Sequence, residues 1–196
     1  MPEQKATLRF DEKNIELPIY EATLGQSVID VGAVKSVGAY TFDPGFLSTA
    51  SCESKITFIS GSKGQLLYRG YPIEQLAEKS TFMEVSYLLL HGELPTKIEL
   101  DAFITRVKDK TELDPIIPNV FSGFKKNAHP MAMLIAAGGA LAGLYDVDIT
   151  DPKQRIDTAI NLIAKMPILV ALCKRHSTGD AMIKPRKDLD YAENFL

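Results

Sequence analysis

Histidine and cysteine are common metal ligands and catalytic groups, and this sequence contains few of them. It has three histidines, His91, His129 and His176, and two cysteines, Cys52 and Cys173. The histidines form no i, i+4 pair and neither cysteine lies at ligand spacing, so the sequence predicts no zinc site. The cysteines are far apart and lack a CxxC spacing, and we expect both to be buried, reduced thiols.

Motifs for phosphate binding and nucleophilic catalysis are also missing from the sequence. There is no GxGxxG run, and GSKG at 61–64 is too short for a phosphate-binding P-loop. No GxSxG elbow presents a nucleophilic serine. His129 precedes a proline, which favours a residue at a helix start or a buried hydrogen-bonding imidazole over a general base. We expect surface or interface pairing, and no substrate role, for four arginines: Arg69, Arg155, Arg175 and Arg186.

Composition limits the function classes that fit the chain. The 196 residues are 45% apolar and 24% charged, with a net charge of −3. This length suffices for one or two ordinary domains. No basic stripe indicates nucleic-acid binding. The N-terminal residues lack the apolar core of a signal peptide, so we predict a cytoplasmic protein.

Short strands and turns are predicted for the first 70 residues. Alternating apolar residues at 6–10 and 15–19 indicate a hairpin around a turn at 11–14. A second hairpin joins 55–59 to 65–68 through glycines that permit positive φ angles. In the turn DPG at 43–45, we expect proline to fix φ and Gly45 to take the left-handed conformation.

Helical periodicity begins after residue 72. Capping boxes, in which a threonine is followed three positions later by a glutamate, occur at Thr81 and Thr96. Aspartate precedes proline at 114–115 and 151–152, a pattern typical of helix starts. The predicted helices cover 73–79, 82–91, 97–110, 115–126, 130–145 and 152–175.

The predicted helix at 130–145 is apolar around its whole circumference. With about 15 residues it is too short to span a bilayer comfortably. A helix without a polar face must be buried, and the spacing of Gly139 and Gly143 allows another backbone to approach closely. Membrane insertion, burial in a monomer core and burial at a homodimer interface remain open. In the next helix, Pro167 predicts a kink or an early end.

Five runs along the chain form an ordered set of motifs. They cover 42–59, with FDPGF and TASCESKITFI, 68–76, which begins YRGYPI, HPM at 129–131, AKMP at 164–167, and 185–196, which ends in YAENFL. In this order they resemble bacterial citrate synthases of the longer, type II form, and the resemblance covers nearly every residue.

The resemblance implies a mainly α fold. It implies a citrate synthase-like helical large domain over 71–196, incomplete here, preceded by a small N-terminal β-hairpin region over 1–70. We expect the chain to be truncated before the small catalytic domain, because 188–196 has the pattern of a helix start and stops on two large apolar residues. The helices near 130–175 would form the interface of a homodimer or hexamer.

The activity implied is the condensation of acetyl-CoA with oxaloacetate and water to give citrate and CoA. The resemblance assigns catalysis to a histidine in a Gly-Gly loop, a His-Arg motif and an aspartate, all beyond residue 196. No catalytic, cofactor-binding or metal-binding residue is therefore assigned, and acetyl-CoA is expected as a substrate, without a further cofactor. The alternatives are 2-methylcitrate synthase, using propionyl-CoA, and a non-catalytic helical dimerisation fragment.

Some hexameric members of the family bind NADH as an inhibitor, and the resemblance places a vestige of that site at Thr111, Tyr145 and Lys165. Two cationic positions of the site are changed here, one to Asp109 and one to Asn161. A dinucleotide diphosphate would lose favourable Coulomb interactions at both positions. The sequence therefore predicts weak or absent inhibition by NADH.

Overall fold

The computed structural model describes residues 4–196 and shows the predicted, mainly helical fold. The described chain divides into two compact units, the first ending at Gln75 and the second comprising Leu76–Leu196. The predicted domain boundary at residues 70 and 71 stays a prediction about the whole protein. The strands are β1 (Lys5–Phe10), β2 (Lys13–Tyr20), β3 (Val28–Ile29), β4 (Thr57–Ser60), β5 (Gln65–Tyr68) and β6 (Tyr71–Pro72). The helices are α1 (Ile73–Lys79), α2 (Phe82–His91), α3 (Lys97–Asp109), α4 (Ile116–Ser122), α5 (Pro130–Leu144) and α6 (Pro152–Thr178).

The first predicted hairpin is formed by β1 and β2, which pair antiparallel. Its turn is shorter than predicted, because pairing continues to Phe10 opposite Lys13. On β2, Ile15 and Leu17 are buried two positions apart, as alternation in a strand requires. They form a small core with Val34, which lies on a 3₁₀ helix at Gly32–Val37 that the sequence did not predict.

The second hairpin pairs β4 with β5 around Gly64, whose φ of 60° lies in the left-handed region. A third strand, β6, extends this sheet and was not predicted.

The predicted turn at 43–45 is present, with one correction. The left-handed conformation falls on Phe46, with φ of 51°, and Gly45 is not among the glycines with positive φ. The carboxylate of Asp43 holds the loop by accepting hydrogen bonds from the Leu47 and Ser48 backbone N–H groups, at 3.1 and 2.9 Å, and from the Thr49 hydroxyl at 2.6 Å. These bonds, chiefly that from Thr49, lower the pKa of Asp43.

Both predicted capping boxes are confirmed. Thr81 starts α2 and Thr96 starts α3, and each hydroxyl accepts a hydrogen bond from the backbone N–H of the glutamate three positions later. That glutamate in turn accepts from the threonine backbone N–H. The helix starts are therefore determined locally.

The ends of two helices differ from prediction. Helix α4 stops at Ser122, where the hydroxyl donates to the Asn119 carbonyl at 2.7 Å and competes with the helix pattern. Helix α6 continues past Pro167 to Thr178 and ends at Gly179, whose φ is 83°. Pro167 thus does not end the helix, although it removes one backbone donor.

Two apolar clusters hold the helical unit together. One cluster joins α4, α5 and α6 and contains Ile117, Phe121, Met133, Ala137, Leu141, Leu169, Leu172 and Cys173. The other joins α2, α3 and α6 and contains Met83, Phe103, Val107, Ile160 and Ala164. Helix α6 contributes to both clusters and links them.

Helix α5 buries only one side within this chain, although its composition predicts burial all round. Its buried face carries Met133, Ala137 and Leu141, while the side chains of Met131 and Ile135 are 53% and 71% exposed. Helix α6 has a similar exposed apolar row at Leu162, Met166 and Val170.

Helix α6 is long and apolar enough, by length and composition alone, to cross a membrane. Core helices of globular proteins meet the same criterion, and α6 packs against α3, α4 and α5.

The prediction of two buried thiols is half wrong. Cys173 is buried, and burial raises the pKa of its thiol. Cys52 is exposed, because it lies in the irregular stretch before β4, whose residues 46–56 are all exposed.

The last residues, 188–196, form turns where a helix start was expected. They do carry a local cap, because Asp190 accepts a hydrogen bond from the Glu193 N–H at 2.7 Å and Glu193 accepts one from the Asp190 N–H at 2.7 Å. The N–H of Asn194 reaches the Asp190 carbonyl at 3.1 Å, which completes a single helical turn.

Candidate functional site

Lys165, one of three residues assigned to the vestigial effector site, lies in the middle of α6 and is buried, with 4% of the residue exposed. Its ammonium donates a hydrogen bond to the Lys110 carbonyl, 55 positions away. Burial lowers the pKa of Lys165, the charge of Lys110 acts in the same direction, and Glu112 opposes them. The ammonium is therefore already used to satisfy a backbone carbonyl just past the end of α3.

Thr111 lies next to this contact, directly after Lys110. Its hydroxyl donates to the Lys108 carbonyl at 2.8 Å and so also caps the end of α3. The structure thus brings Thr111 and Lys165 to the same helix end. Asp109, at the last position of α3, carries a negative charge that pairs with Lys187 at 3.3 Å.

Tyr145, the third assigned residue, is the C-cap of α5 and is 37% exposed. Burial raises the pKa of its phenol, and the negative charge of Asp114 adds to that shift. Within residues 4–196, no hydrogen bond links Tyr145 to Thr111 or Lys165. Tyr145 therefore makes no hydrogen bond to the pair formed by the other two.

The strongest cluster of charges near this helix end was not predicted. Asp157 of α6 accepts hydrogen bonds from Arg106 at 2.7 Å and from Lys110 at 3.1 Å. The Arg106 bond is the largest cause of the lowered pKa of Asp157, followed by the Lys110 bond. Arg106 lies on α3 and Lys110 is its C-cap residue, so Asp157 fastens the C-terminal end of α3 to α6 and neutralises positive charge that an anionic ligand would need.

The three histidines contact neighbouring backbone groups or aromatic rings. His129 is the N-cap of α5, where Nδ1 accepts a hydrogen bond from the Met131 N–H at 3.2 Å, as predicted for a residue at a helix start. His91 stacks on Tyr87, with ring centroids 4.2 Å apart, and burial lowers its pKa. His176 lies 3.3 Å from the Lys125 carbonyl. Across residues 4–196 no group of three or more His, Cys, Asp or Glu side chains is placed to hold a metal ion.

For four arginines the sequence analysis predicts no substrate role, and in the structure each contacts a local partner. Arg155 donates to the Ile149 carbonyl at 2.8 Å, and Arg175 donates to the Ala181 carbonyl at 2.7 Å. Arg186 pairs with Asp188, and Arg69 donates to the Lys55 carbonyl at 3.4 Å. Each guanidinium thus has a partner within 14 positions of sequence, whereas capture of a dicarboxylate requires several arginines around one ligand.

A cavity of about 310 Å³ lies in the helical unit beneath the last residues of the chain. Most of its lining is apolar, and helices α2, α3 and α6 form its floor. Thr111 reaches its edge, but Lys165 and Tyr145 do not line it. Its lining includes Phe82, Pro167, Tyr191 and Asn194.

A family model described as "Citrate synthase, C-terminal domain" matches residues 45–196, most of the chain. The chain belongs to the citrate synthase family. The match contains four of the five motif runs in full, the first run from residue 45 onward, and all six helices. Assignment to the type II form remains a prediction.

Solved citrate synthases share this architecture. The enzyme from Thermotoga maritima matches with 35% identity and a TM-score of 0.69, covering 79% of this chain and 40% of that one. The enzyme from Pyrobaculum aerophilum matches with 33% identity and a TM-score of 0.69, covering 98% and 46%. The Thermoplasma acidophilum enzyme, solved as a ternary complex with carboxymethyl coenzyme A and oxaloacetate, matches with 26% identity and a TM-score of 0.75, covering 80% and 42%.

This citrate synthase chain therefore spans less than half the length of the solved enzymes it matches. The described residues contain the caps, pairs and clusters given above but no convergent set of acid, base and arginine groups. One contact that sequence reasoning missed connects the residue just before the motif at 164–167 to the motif at 191–196: the Tyr191 hydroxyl donates to the Ile163 carbonyl at 2.9 Å. The available signal was Pro167, which leaves that carbonyl without its usual helix donor.

Proposed function

We propose that the whole protein condenses acetyl-CoA with oxaloacetate and water to give citrate and CoA, and that residues 1–196 supply part of its helical framework. The observation that carries the proposal is the family match over residues 45–196. The Thermoplasma acidophilum enzyme, which binds carboxymethyl coenzyme A and oxaloacetate, supports the choice of substrates.

The chemistry of the reaction supports a location of the catalytic groups outside these 196 residues. The enzyme must remove a proton from the acetyl methyl group, stabilise the resulting enolate and polarise the ketone of oxaloacetate. Oxaloacetate also has two carboxylates, which call for arginines in fork geometry. In residues 4–196 the histidines and arginines have the separate, local partners described above. We therefore expect the 196-residue chain alone to be inactive.

A thiol-release assay with acetyl-CoA and oxaloacetate tests this proposal on two samples, the 196-residue chain and the complete gene product, whose intact mass is measured in parallel. We expect CoA release by the complete product only. Turnover by the 196-residue chain would contradict the location of the catalytic groups. Inactivity of both samples would favour the dimerisation fragment, and faster turnover of propionyl-CoA would favour 2-methylcitrate synthase.

We also propose that the protein assembles as a homodimer, alone or within a hexamer, through helices near 130–175. The support is the exposed apolar face of α5, with Met131 and Ile135, and the exposed row on α6 at Leu162, Met166 and Val170. Helices α5 and α6 pack against each other, and exposed apolar rows of this kind are typical of protein interfaces. The proposed location is the cytoplasm, without nucleic-acid or membrane partners. The mild net charge of −3 supports the absence of a nucleic-acid partner.

Light scattering on the native-length protein tests this assembly. Ile135→Asp places a carboxylate on the α5 face and should shift the mass toward the monomer, because a buried unpaired charge is costly. Ile98→Asp on α3 is the matched control, since Ile98 is 83% exposed and lies outside the proposed interface. A monomeric wild-type protein, or equal effects of the two variants, would contradict the proposal.

Weak or absent binding of NADH is the third part of the proposal. Its support is electrostatic: Lys165 is buried against the Lys110 carbonyl, Asp109 is negative, and Asn161 is neutral. A diphosphate would meet fewer free positive charges than a dinucleotide site needs.

Fluorescence titration of the complete protein with NADH tests this prediction. We expect little binding by the wild type at micromolar NADH and a gain in affinity for the Asp109→Arg, Asn161→Arg double variant. A Lys97→Arg, Lys153→Arg variant, which leaves the charge unchanged, serves as the control. Micromolar binding by the wild type would refute the prediction.

A further inference from the structure

Pro167 interrupts the hydrogen bonds of α6 at a known place. Proline has no backbone N–H, and its ring lies close to the carbonyl four positions earlier, here that of Ile163. In a regular helix that carbonyl would accept a bond from residue 167. The helix nevertheless continues without an end from Pro152 to Thr178.

Tyr191 supplies the donor that the helix lacks. Its hydroxyl donates to the Ile163 carbonyl at 2.9 Å across 28 positions of sequence. The ring packs on the apolar cluster of α2, α3 and α6 and stacks on Phe82, with centroids 5.0 Å apart and ring planes 18° from parallel. The phenol is therefore held in place by both its face and its hydroxyl.

The segment that carries Tyr191 is closed on itself and fastened at a second point. The Asn194 side chain accepts a hydrogen bond from the Arg186 N–H and donates one to the Arg186 carbonyl, both at 2.7 Å. Lys187 pairs with Asp109 at 3.3 Å, and its carbonyl accepts a bond from Lys108 at 3.3 Å. We call residues 186–196 the strap.

We propose that the Tyr191 hydroxyl replaces the backbone donor removed by Pro167, so that the strap is locked onto α6 at that proline and roofs the cavity of about 310 Å³ between them. Strap and proline then form one conformational device. The proline leaves the Ile163 carbonyl without its usual helix donor, and Tyr191 provides one. Releasing the hydroxyl opens the cavity, because Tyr191 and Asn194 are part of its wall.

If the Tyr191 hydroxyl compensates for Pro167, the effects of changing the two residues depend on each other, which packing of the tyrosine ring alone does not require. If the hydroxyl matters because Pro167 removes a donor, restoring the donor with alanine should make the hydroxyl dispensable. A buried carbonyl left without a partner is costly, whereas one that keeps a backbone donor is not. The effects of Tyr191→Phe and Pro167→Ala should therefore be coupled.

A double-mutant cycle on the native-length protein, followed by urea unfolding, measures this coupling. Tyr191→Phe keeps the ring and its stacking and should raise the unfolding constant about tenfold when residue 167 is proline. When residue 167 is alanine, the same change should leave the constant nearly unaltered. Equal effects in the two backgrounds would overturn the proposal.

Hydrogen exchange of the strap decides the matter if Pro167→Ala fails to fold. Exchange of residues 188–196 should accelerate in Tyr191→Phe and stay at the wild-type rate in Tyr145→Phe, whose hydroxyl has no hydrogen-bond partner among residues 4–196. Unchanged protection of the strap in Tyr191→Phe would refute the lock.

Discussion

The strand-rich unit up to Gln75 and the helical unit Leu76–Leu196 use their apolar residues differently. In the described part of the first, from residue 4 on, a buried cluster has three members, Ile15, Leu17 and Val34, and several large apolar side chains remain exposed, including Phe42 and Leu47 at 91% each. In the second, two clusters share α6, and residues such as Leu88 and Ile117 are fully buried. Local turn and loop hydrogen bonds therefore shape the first unit, whereas packing shapes the second.

One leucine-to-alanine substitution in each unit tests this difference, and these variants should lose the most unfolding free energy. Leu141→Ala removes a side chain that is 2% exposed from the cluster of α4, α5 and α6, and should cost about 4 kcal/mol. Leu17→Ala empties a site that is 5% exposed in a core of three residues, and should cost about 2 kcal/mol because the surroundings can collapse.

Hydrogen exchange measured in increasing urea reports each unit separately and provides both values. The wild-type protein is the reference, and Leu47→Ala, at a fully exposed site, is the control for the chemical change itself. A Leu17→Ala cost equal to that of Leu141→Ala would remove the proposed distinction between the two units.

A smaller effect is expected at helix starts. Thr96→Ala removes the hydroxyl that accepts from the Glu99 N–H, keeps the bond from the residue-96 N–H to the Glu99 carboxylate, and should cost about 1 kcal/mol. Val31→Ala, at the equivalent position before the 3₁₀ helix of the first unit, should have almost no effect, because Val31 makes no side-chain cap. Thermal unfolding monitored by circular dichroism compares them, and a loss for Val31→Ala as large as that for Thr96→Ala would contradict the assignment.

The elements that the sequence predicts well are those with local signals. Thr96 and Glu99 satisfy each other's backbone groups within one turn, so the start of α3 can be predicted without knowing the fold. The end of α6 also has a local signal, Gly179, which lies four positions beyond the predicted helix end at residue 175.

Contacts across long stretches of sequence could not be predicted. Nothing near Lys165 indicates that its ammonium caps the end of α3, and Pro167 indicates an unpartnered carbonyl but not that Tyr191 reaches it. Likewise, the composition of α5 predicts burial but not which face is covered within the chain and which stays exposed. Tertiary packing decides these questions.

Two aspartates, one in each unit, have lowered pKa values, and their contributions to stability should be the smallest considered. Asp43 is stabilised chiefly by the neutral hydroxyl of Thr49, and Asp157 chiefly by Arg106 and then Lys110. Because both folded-state values lie below the ordinary aspartate value near about 3.9, each contribution to stability is present above that pH and is lost as the pH falls through the folded value.

Salt distinguishes the two aspartates. Raising the ionic strength screens charges on exposed side chains, so the pKa of Asp157 should rise toward the ordinary value while that of Asp43 stays nearly constant. Carboxyl carbon NMR titrations at low and high salt provide both values, with Asp157→Asn to confirm the assignment. A salt-dependent rise at Asp43 as large as that at Asp157 would show that charge also governs the loop of the first unit, and the contrast between turn hydrogen bonds and interhelical ion pairs would then fail.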